Sequence, residues 1–210
     1  MIKLSPSLLA ADPLHLGDAL KLAMDAGCEE LHFDVMDAHF VPNLTFGPHI
    51  LAAMKKQADF VYDVHLMLSD PLTMIDSYAQ AGASVITVHA EANGFEEALK
   101  KIRSLGLKAG ASINPATPAE ELRPYLPLID RVPLMTVVPG YGGQQFMPEA
   151  LPKARQLREM GFTGELEADG GLNPANMRKA VDAGVDILVM GTAFFKAENP
   201  VEVARLVHAL

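Results

Sequence analysis

The chain has 210 residues, 50% of them hydrophobic, and a formal net charge of −9 with a sequence pI near 5.2. This acidic balance argues against nonspecific binding to nucleic acid or to anionic membranes, because both carry negative charge themselves. Cys28 is the single cysteine, so the sequence excludes an intramolecular disulfide and a cysteine-rich zinc site, and it favours a reducing cytoplasm.

The distribution of apolar residues disfavours two further classes of protein. The N-terminal stretch MIKLSPSLLAADP has only a short apolar run with an early proline, unlike a secretory signal peptide. No segment reaches the roughly 18 uninterrupted apolar residues of a membrane-spanning helix. We therefore expect a cytoplasmic protein with one domain over residues 1–210 and no membrane partner.

Short apolar runs alternate with amphipathic stretches along the chain. The first four predicted strand-helix pairs are IKLSPSLLA with 14–26, LHFDVM with 48–57, VYDVHLML with 71–82 and SVITVHA with 94–105. The last four are KAGASIN with a short helix from about 118, RVPLMTVV with 148–160, GELEAD with 174–184 and DILVMG with 200–210. Strict alternation implies a parallel sheet with helical crossovers. Eight such units predict a (β/α)₈ TIM barrel rather than a doubly wound open sheet.

Polar side chains interrupt the predicted strands near their carboxyl ends. In ELHFDVMDAHF, residues 30–40, His32 and Asp34 alternate with apolar residues and so share one face of a strand. An unpaired carboxylate buried there would lower the stability of the fold by several kcal/mol, so a compensating group is expected. His65 lies near the end of the third predicted strand, and Asp169 ends the seventh.

A metal ion would supply that compensation. The strand ends of a barrel meet at one face, which carries the chemistry, so side chains from different strands can converge there. Imidazole and carboxylate donors suit Zn²⁺, Fe²⁺, Mn²⁺ or Co²⁺. A hydrogen-bonded core histidine is the competing interpretation of His32 taken alone, but the matching strand ends favour a metal site. Its predicted ligands are His32, Asp34, His65 and Asp169.

Glycine-rich segments follow the last three predicted strands, as VPGYGGQQF, DGGLNP and MGTAFF. Glycine lets backbone N–H groups approach an anion closely, and barrels often bind phosphate after strands seven and eight. Ordinary turns are the alternative for any one segment, but the three together predict a phosphate monoester site. Methionine on a strand is usually core filler. The polar neighbours of Met36 and Met67 indicate that these two, with Met135, also line the cavity.

Eight segments carry a resemblance that runs in order from residue 4 to about 195: SPSLLAAD, HFDVMDAHFVPNLTFGP, DVHLML, AGASVITVHAEA, NPATP, PGYGGQQFMPE, EADGGLNP and MGTAFF. The chain resembles the ribulose-phosphate 3-epimerase family. The resemblance implies a metal-dependent isomerase of the pentose phosphate pathway that interconverts ribulose 5-phosphate and xylulose 5-phosphate through an enediolate. It also implies self-association, since members often form dimers or hexamers.

The resemblance carries residue roles over to this sequence. It implies one divalent ion per chain, with Zn²⁺ expected first, on the residues matching His32, Asp34, His65 and Asp169. Asp34 and Asp169 are then also the acid-base pair. The implied substrate contacts are Ser7, His65, Gly142, Gly143, Gln144, Gly170, Gly171, Gly191 and Thr192.

Three departures from the family pattern leave the substrate preference open. Ala38 stands where Gly is common, Val138 where a polar residue is common, and Ala168 where Val is usual. A 3-epimerase of allulose 6-phosphate is therefore an alternative, although the intact GYGGQ favours the pentose. A metal-dependent phosphosugar aldolase is a second alternative. A non-catalytic phosphosugar-binding protein is disfavoured, because binding alone needs no acid-base pair.

Overall fold

The structure of the protein, a computed structural model, describes residues 2–210 and contains eight parallel strands. The strands are β1 (Lys3–Pro6), β2 (Glu30–Met36), β3 (Val61–Met67), β4 (Val85–His89), β5 (Lys108–Ser112), β6 (Arg131–Met135), β7 (Glu165–Asp169) and β8 (Ile187–Met190). They form one sheet in which each strand from β2 to β8 pairs with the next, and β1 pairs with β8. The predicted (β/α)₈ barrel is thereby confirmed.

Helices follow the strands on the outside of the barrel. They are α1 (Leu16–Asp25), α2 (Pro48–Gln57), α3 (Ile75–Ala81), α4 (Phe95–Ser104), α5 (Pro152–Glu159), α6 (Met177–Asp182), α7 (Thr192–Phe195) and α8 (Pro200–His208). Helix α8 shows how local sequence sets a start. Pro200 occupies its first turn, where a missing N–H is harmless, and the Asn199 side chain accepts a hydrogen bond from the backbone N–H of Glu202.

Prolines account for the main differences from the expected helices. The predicted short helix from about 118 is a 3₁₀-helix over Ala119–Leu128. Pro124 and Pro127 lie inside it, and proline cannot donate the i→i−4 bond of an α-helix. The helix expected over 148–160 likewise starts as a 3₁₀ turn, and α5 begins only at its own first-turn proline, Pro152.

The barrel closes between β1 and β2 through a single parallel bridge from Ser7 to His32. The expected first strand therefore ends earlier than IKLSPSLLA, at Pro6, and a 3₁₀ turn over Leu8–Ala10 follows it. The GTAFF segment, expected as part of a glycine-rich loop, contains the short helix α7. Within residues 2–210, the structure has no helix whose length and apolar character suffice to cross a membrane.

Candidate active site

Strand β2 organises the centre of the barrel. All seven of its residues are buried, and those on its outer face, such as Phe33, pack in the main hydrophobic core. Its inner face is in register with β3, and the pairing forms layers. His32 lies beside Asp63, Asp34 beside His65, and Met36 beside Met67 at the carboxyl end.

The four predicted metal ligands converge at this centre. His32 Nε2 lies 3.4 Å from Asp34 Oδ1 and 3.5 Å from Asp169 Oδ2. His65 Nδ1 lies 3.7 Å and 3.3 Å from the same two oxygens, and the two imidazole nitrogens are 3.3 Å apart. Tetrahedral Zn²⁺ with bonds of about 2.0–2.1 Å requires donors roughly 3.3 Å apart. The donor set therefore fits a divalent ion in both chemistry and spacing.

Neighbouring groups orient these donors. His32 Nδ1 lies 2.9 Å from Asp63 Oδ2, so its proton can sit on that nitrogen and leave Nε2 free to face the centre. The hydroxyl of Ser7 donates to Asp34 Oδ2 at 2.6 Å, which leaves the other carboxylate oxygen facing the centre. His65 Nε2 lies 2.8 Å from Nε2 of His89.

The electrostatics of the centre demand positive charge. Burial lowers the pKa of His32, but the carboxylates of Asp34 and Asp169 outweigh it and raise that pKa well above its ordinary value. Burial raises the pKa of Asp169, but the charge and hydrogen bond of the adjacent His32 outweigh this effect, so the net shift of the pKa is downward. The buried carboxylate of Asp169 therefore stays ionised beside a cation, which can be an imidazolium or a bound metal ion.

A second charged cluster lies at the floor of the barrel, and sequence reasoning missed it. Arg131, 1% exposed, contacts Glu30 at 2.5 Å, Glu167 at 3.3 Å and Asp63 at 3.4 Å. Burial, together with the charge of Asp63, raises the pKa of Glu167 to about 8. The available signal was period-two alternation, which puts Glu30 on the same face of β2 as His32.

A cavity of about 320 Å³ opens above the convergent ligands at the carboxyl ends of the strands. Asp34 and Asp169 reach its wall. Both histidines lie behind them with side chains that are fully buried, so the implied contact of His65 with substrate stays a prediction. The other expected contact and lining residues all line the cavity, namely Ser7, Met36, Met67, Met135, Gly142, Gly143, Gln144, Gly170, Gly171, Gly191 and Thr192.

The glycine segments form one side of this cavity. Gly143 and Gly171 adopt φ values of +74° and +69°, a region that L side chains rarely adopt. A Cβ on Gly171 would lie 2.6 Å from the backbone of Phe146, whereas a Cβ on Gly143 would have Thr192 Oγ1 as its nearest neighbour, at 3.7 Å. The wall at Gly143 therefore has room for a bound group beside Thr192, at the start of α7.

Side chains from two loops tie the rim of the cavity together. The Asn43 amide donates to the carbonyl of Gly140, and the Tyr141 hydroxyl donates to the carbonyl of Pro42. The amide nitrogen of Gln144 donates to two carbonyls of its own loop. The loops after β2 and β6 are therefore held against each other at the mouth of the cavity.

The remaining polar residues of the stretch 30–40 are structural. Asp37 accepts hydrogen bonds from the backbone N–H groups of His39 and Phe40 and from that of Ser69, so it joins two loops. His39 is exposed, as are His49 and His208. His89 is fully buried beside His65, a polar role that the sequence pattern alone did not reveal.

Comparisons with known proteins find related sequences along nearly the whole chain. A family model described as "Ribulose-phosphate 3 epimerase family" matches residues 3–195. A curated ribulose-phosphate 3-epimerase from Synechocystis sp. is 44% identical over 208 residues, which cover 96% of this chain and 90% of that protein. One from Schizosaccharomyces pombe is 43% identical over 205 residues, with the same two coverages.

Solved structures with lower identity share the fold. A crystal structure of KGPDC from Streptococcus mutans has a TM-score of 0.74 at 19% identity, and the match covers 100% of this chain and 96% of that one. A 3-hexulose-6-phosphate synthase has a TM-score of 0.70 at 18% identity, with 99% and 98% covered. At this identity the likeness supports the barrel architecture alone.

Proposed function

Because the chain belongs to the ribulose-phosphate 3-epimerase family and is an enzyme of the isomerase class, we propose that it interconverts D-ribulose 5-phosphate and D-xylulose 5-phosphate with a divalent metal cofactor. The observation that carries the proposal is the convergence of two carboxylates and two imidazoles beneath a glycine-walled cavity. A place in the pentose phosphate pathway, a cytoplasmic location and a homo-oligomeric state stay predictions.

The metal would be held by His32, Asp34, His65 and Asp169. Their donor atoms all lie within 4.8 Å of one another, and all four residues are buried. Such an ion supplies Lewis-acid stabilisation of the negative charge that develops on the substrate oxygens. The tetrahedral spacing suits Zn²⁺, and the same nitrogen and oxygen donors are compatible with Fe²⁺, Mn²⁺ or Co²⁺.

Asp34 and Asp169 would move the protons. Epimerisation at C3 of a 2-ketose removes a proton next to the carbonyl, leaving an enediolate, and returns a proton to the opposite face. The two aspartates reach the cavity from β2 and β7, which β1 and β8 separate in the barrel. One carboxylate takes the proton from C3 while the other, protonated, delivers one to the opposite face. Proton exchange with solvent then returns the two carboxyl groups to their starting protonation states.

Other side chains prepare this exchange. The Ser7 hydroxyl, 2.6 Å from Asp34 Oδ2, stabilises the ionised carboxylate and fixes its orientation. Met36, Met67 and Met135 line the cavity, where their thioether side chains exclude water and bring no exchangeable proton. The planar enediolate is thereby protected from unplanned protonation.

The glycine-walled side would bind the substrate phosphate. Backbone N–H groups of Gly142, Gly143, Gly170, Gly171 and Gly191, with the Thr192 hydroxyl, are the available donors, since no Cβ blocks an approach to the glycines. No lysine is among the cavity-lining residues within 2–210, which disfavours an aldolase that uses a Schiff base. The names of the 43–44% identical relatives favour the pentose phosphate over allulose 6-phosphate.

Solvent exchange tests the proposal directly. Metal-loaded enzyme incubated with ribulose 5-phosphate in deuterated water should yield xylulose 5-phosphate labelled at C3 with an intact carbon skeleton. Asp34→Asn and Asp169→Asn should each lower kcat by at least about 10²–10⁴-fold, because each removes one acid-base group. The exposed Asp12→Asn is the control and should retain parent activity.

Three results would contradict the proposal. Cleavage of the carbon chain would indicate an aldolase, and a higher kcat/KM on allulose 6-phosphate would indicate the hexose enzyme. Epimerisation at the parent rate by either aspartate variant, with metal bound, would remove that aspartate from the acid-base pair. Elemental analysis of the same samples identifies the bound ion.

A further inference from the structure

A series of polar contacts leads from His65, one proposed metal ligand, to the loop after β5. His65 Nε2 lies 2.8 Å from Nε2 of His89, and the two rings are 12° from parallel. His89 Nδ1 lies 3.3 Å from Oε2 of Glu91. Both histidine side chains are fully buried, so no solvent competes for these contacts.

The number of protons on the two imidazoles determines which group donates in each of these contacts. A His65 that offers its Nδ1 lone pair to a metal carries its proton on Nε2. That N–H faces His89 Nε2, which must therefore accept. A neutral His89 then has its only proton on Nδ1, where it faces a carboxylate oxygen, which can only accept. Each contact is satisfied in this one arrangement, and reversing any of them leaves two donors or two acceptors face to face.

Glu91, the last residue in this series of contacts, is held in place by the loop after β5. The other oxygen of Glu91, Oε1, accepts from the backbone N–H of Asn114 at 2.9 Å and from the hydroxyl of Thr117. Burial raises the pKa of Glu91, but the hydrogen bonds from His89, Thr117 and Asn114 outweigh it and lower that pKa to about 2. Glu91 therefore stays ionised, with Oε2 directed at His89.

We propose that His89 and Glu91 are positioning residues that keep the proton of His65 on Nε2 and thereby hold Nδ1 ready for a divalent ion. The proposal rests on the proposed metal site. His32 has the simpler arrangement, in which Asp63 contacts its Nδ1 directly at 2.9 Å. His65 obtains the same control from a carboxylate through an intervening imidazole, which anchors a metal ligand to the loop at residues 114–117.

Metal affinity is the first test, since it does not depend on turnover. The variants are Glu91→Gln and His89→Phe, compared with Thr117→Val. Gln presents one acceptor oxygen where Glu has two, so it loses either its loop contacts or its acceptor for His89. Phe retains a ring but leaves the N–H of His65 without a partner. Thr117→Val removes a hydrogen bond to Glu91 and leaves His89 untouched, so it controls for loop structure.

The measured quantity is the Kd for Zn²⁺ by competition with a chromophoric chelator, after each protein has been stripped and reloaded. Mutation of a residue that hydrogen-bonds to a metal ligand typically lowers metal affinity by about 10–100-fold. We expect Glu91→Gln and His89→Phe to weaken binding by that factor, and Thr117→Val to change it by less than about threefold. Equal Kd values for the parent and Glu91→Gln, or equal weakening in Glu91→Gln and Thr117→Val, would overturn the positioning role.

A measurement on the unmodified protein removes dependence on variant folding. Long-range ¹H–¹⁵N spectra of the zinc-loaded parent report which nitrogen of each histidine is protonated. We expect Nε2–H on His65 and Nδ1–H on His89, whereas a proton on His89 Nε2 overturns the proposal. A parent that binds no divalent ion removes the metal site and this inference together. A parent that binds Zn²⁺ as tightly as its His89→Phe variant removes this inference alone.

Discussion

Arg131 donates hydrogen bonds to both carboxylate oxygens of Glu30 at the floor of the barrel, with Nη1 2.5 Å from Oε1 and Nη2 3.0 Å from Oε2. Both side chains are almost fully buried, at 1% and 4% exposure. The same guanidinium also faces Asp63, which in turn orients the imidazole of His32. Arg131 therefore compensates the negative charge of Glu30 and of Asp63, and Asp63 in turn orients His32, a candidate metal ligand.

Arg131→Met should strongly destabilise the protein. The change leaves the buried carboxylates of Glu30 and Asp63 without their cation, and losing one partner of a buried ion pair costs about 3–5 kcal/mol. Urea unfolding of the metal-free protein would measure the loss. Arg155→Met is the control, because Arg155 pairs with Glu159 at the surface, where a pair contributes less than about 1 kcal/mol. Equal losses in the two variants would contradict the role of the buried cluster.

Glu165 should make stability depend on pH. Burial raises the pKa of Glu165, but the charge of Arg131 and hydrogen bonds from Lys3, Arg131 and Lys108 lower it to about 2. A folded-state pKa below the ordinary value of 4.5 means that the contribution is fully present above pH 4.5 and is lost as pH falls towards 2.

Glu165→Gln should therefore be less stable than the parent near neutral pH, and the difference should shrink as pH falls below about 4.5. Allowing for screening of this half-buried group, the difference at about pH 7 is on the order of 1–2 kcal/mol. Urea unfolding of both proteins from about pH 7 to about pH 3 would measure it. A difference that stays constant over this range would show that the carboxylate charge is not its source.

Gly143→Ala should weaken substrate binding more than it weakens the fold. Its φ of +74° closely matches the +76° of Gly106, where an added Cβ would have no atom within 4 Å and which lies away from the cavity. Both alanine variants should lose about 1–2 kcal/mol of stability from the left-handed backbone. Only Gly143→Ala should also raise KM, by about tenfold or more, because its methyl group obstructs a charged hydrogen bond. Equal KM values for the two variants would place the phosphate elsewhere.

Ala38→Gly should stabilise the protein. Ala38 has a φ of +60°, and no other non-glycine residue in the described part of the chain has a positive φ. Relief of the left-handed strain returns about 1–2 kcal/mol, of which the greater freedom of glycine in the unfolded chain removes about 0.4–1 kcal/mol. A gain of about 0.5–1 kcal/mol should appear in urea unfolding. Ala197→Gly, without a positive φ, should instead lose stability, and a loss at Ala38 would contradict the strain argument.

The sequence predicts the barrel and the convergence of its polar residues for the same physical reason. Each strand-helix unit must bury an apolar face, so periodicity reveals the units, and eight parallel strands direct their carboxyl ends to one rim. His32 and Asp34 on alternate positions of β2, with Asp169 at the end of β7, could therefore be assigned to one centre from their places in the sequence. The role of each as a ligand or base stays a prediction.

Contacts set by geometry could not be predicted in this way. Arg131 meets Glu30 across 101 residues of sequence, and only the order and register of the closed sheet bring them together. His89 is visible in the segment TVHAEA, but periodicity does not reveal that its ring lies against that of His65. The same limit applies to Ala119–Leu128, where the local prolines favour a 3₁₀-helix that a helix-or-loop assignment does not distinguish.

The seam of the barrel has a consequence for how the chain folds as it is synthesised. Strand β1 has its full ladder only with β8, where Lys3 pairs with Ile187, and just the Ser7–His32 bridge connects it to β2. Strand β8, its main partner, therefore leaves the ribosome long after β1 does. The edge of β1 that pairs with β8 has no partner until nearly all of the chain has been synthesised. The barrel therefore cannot close before β8 has been synthesised, and Asp169 on β7, one of the four candidate metal ligands, is also among the last strand residues to be made.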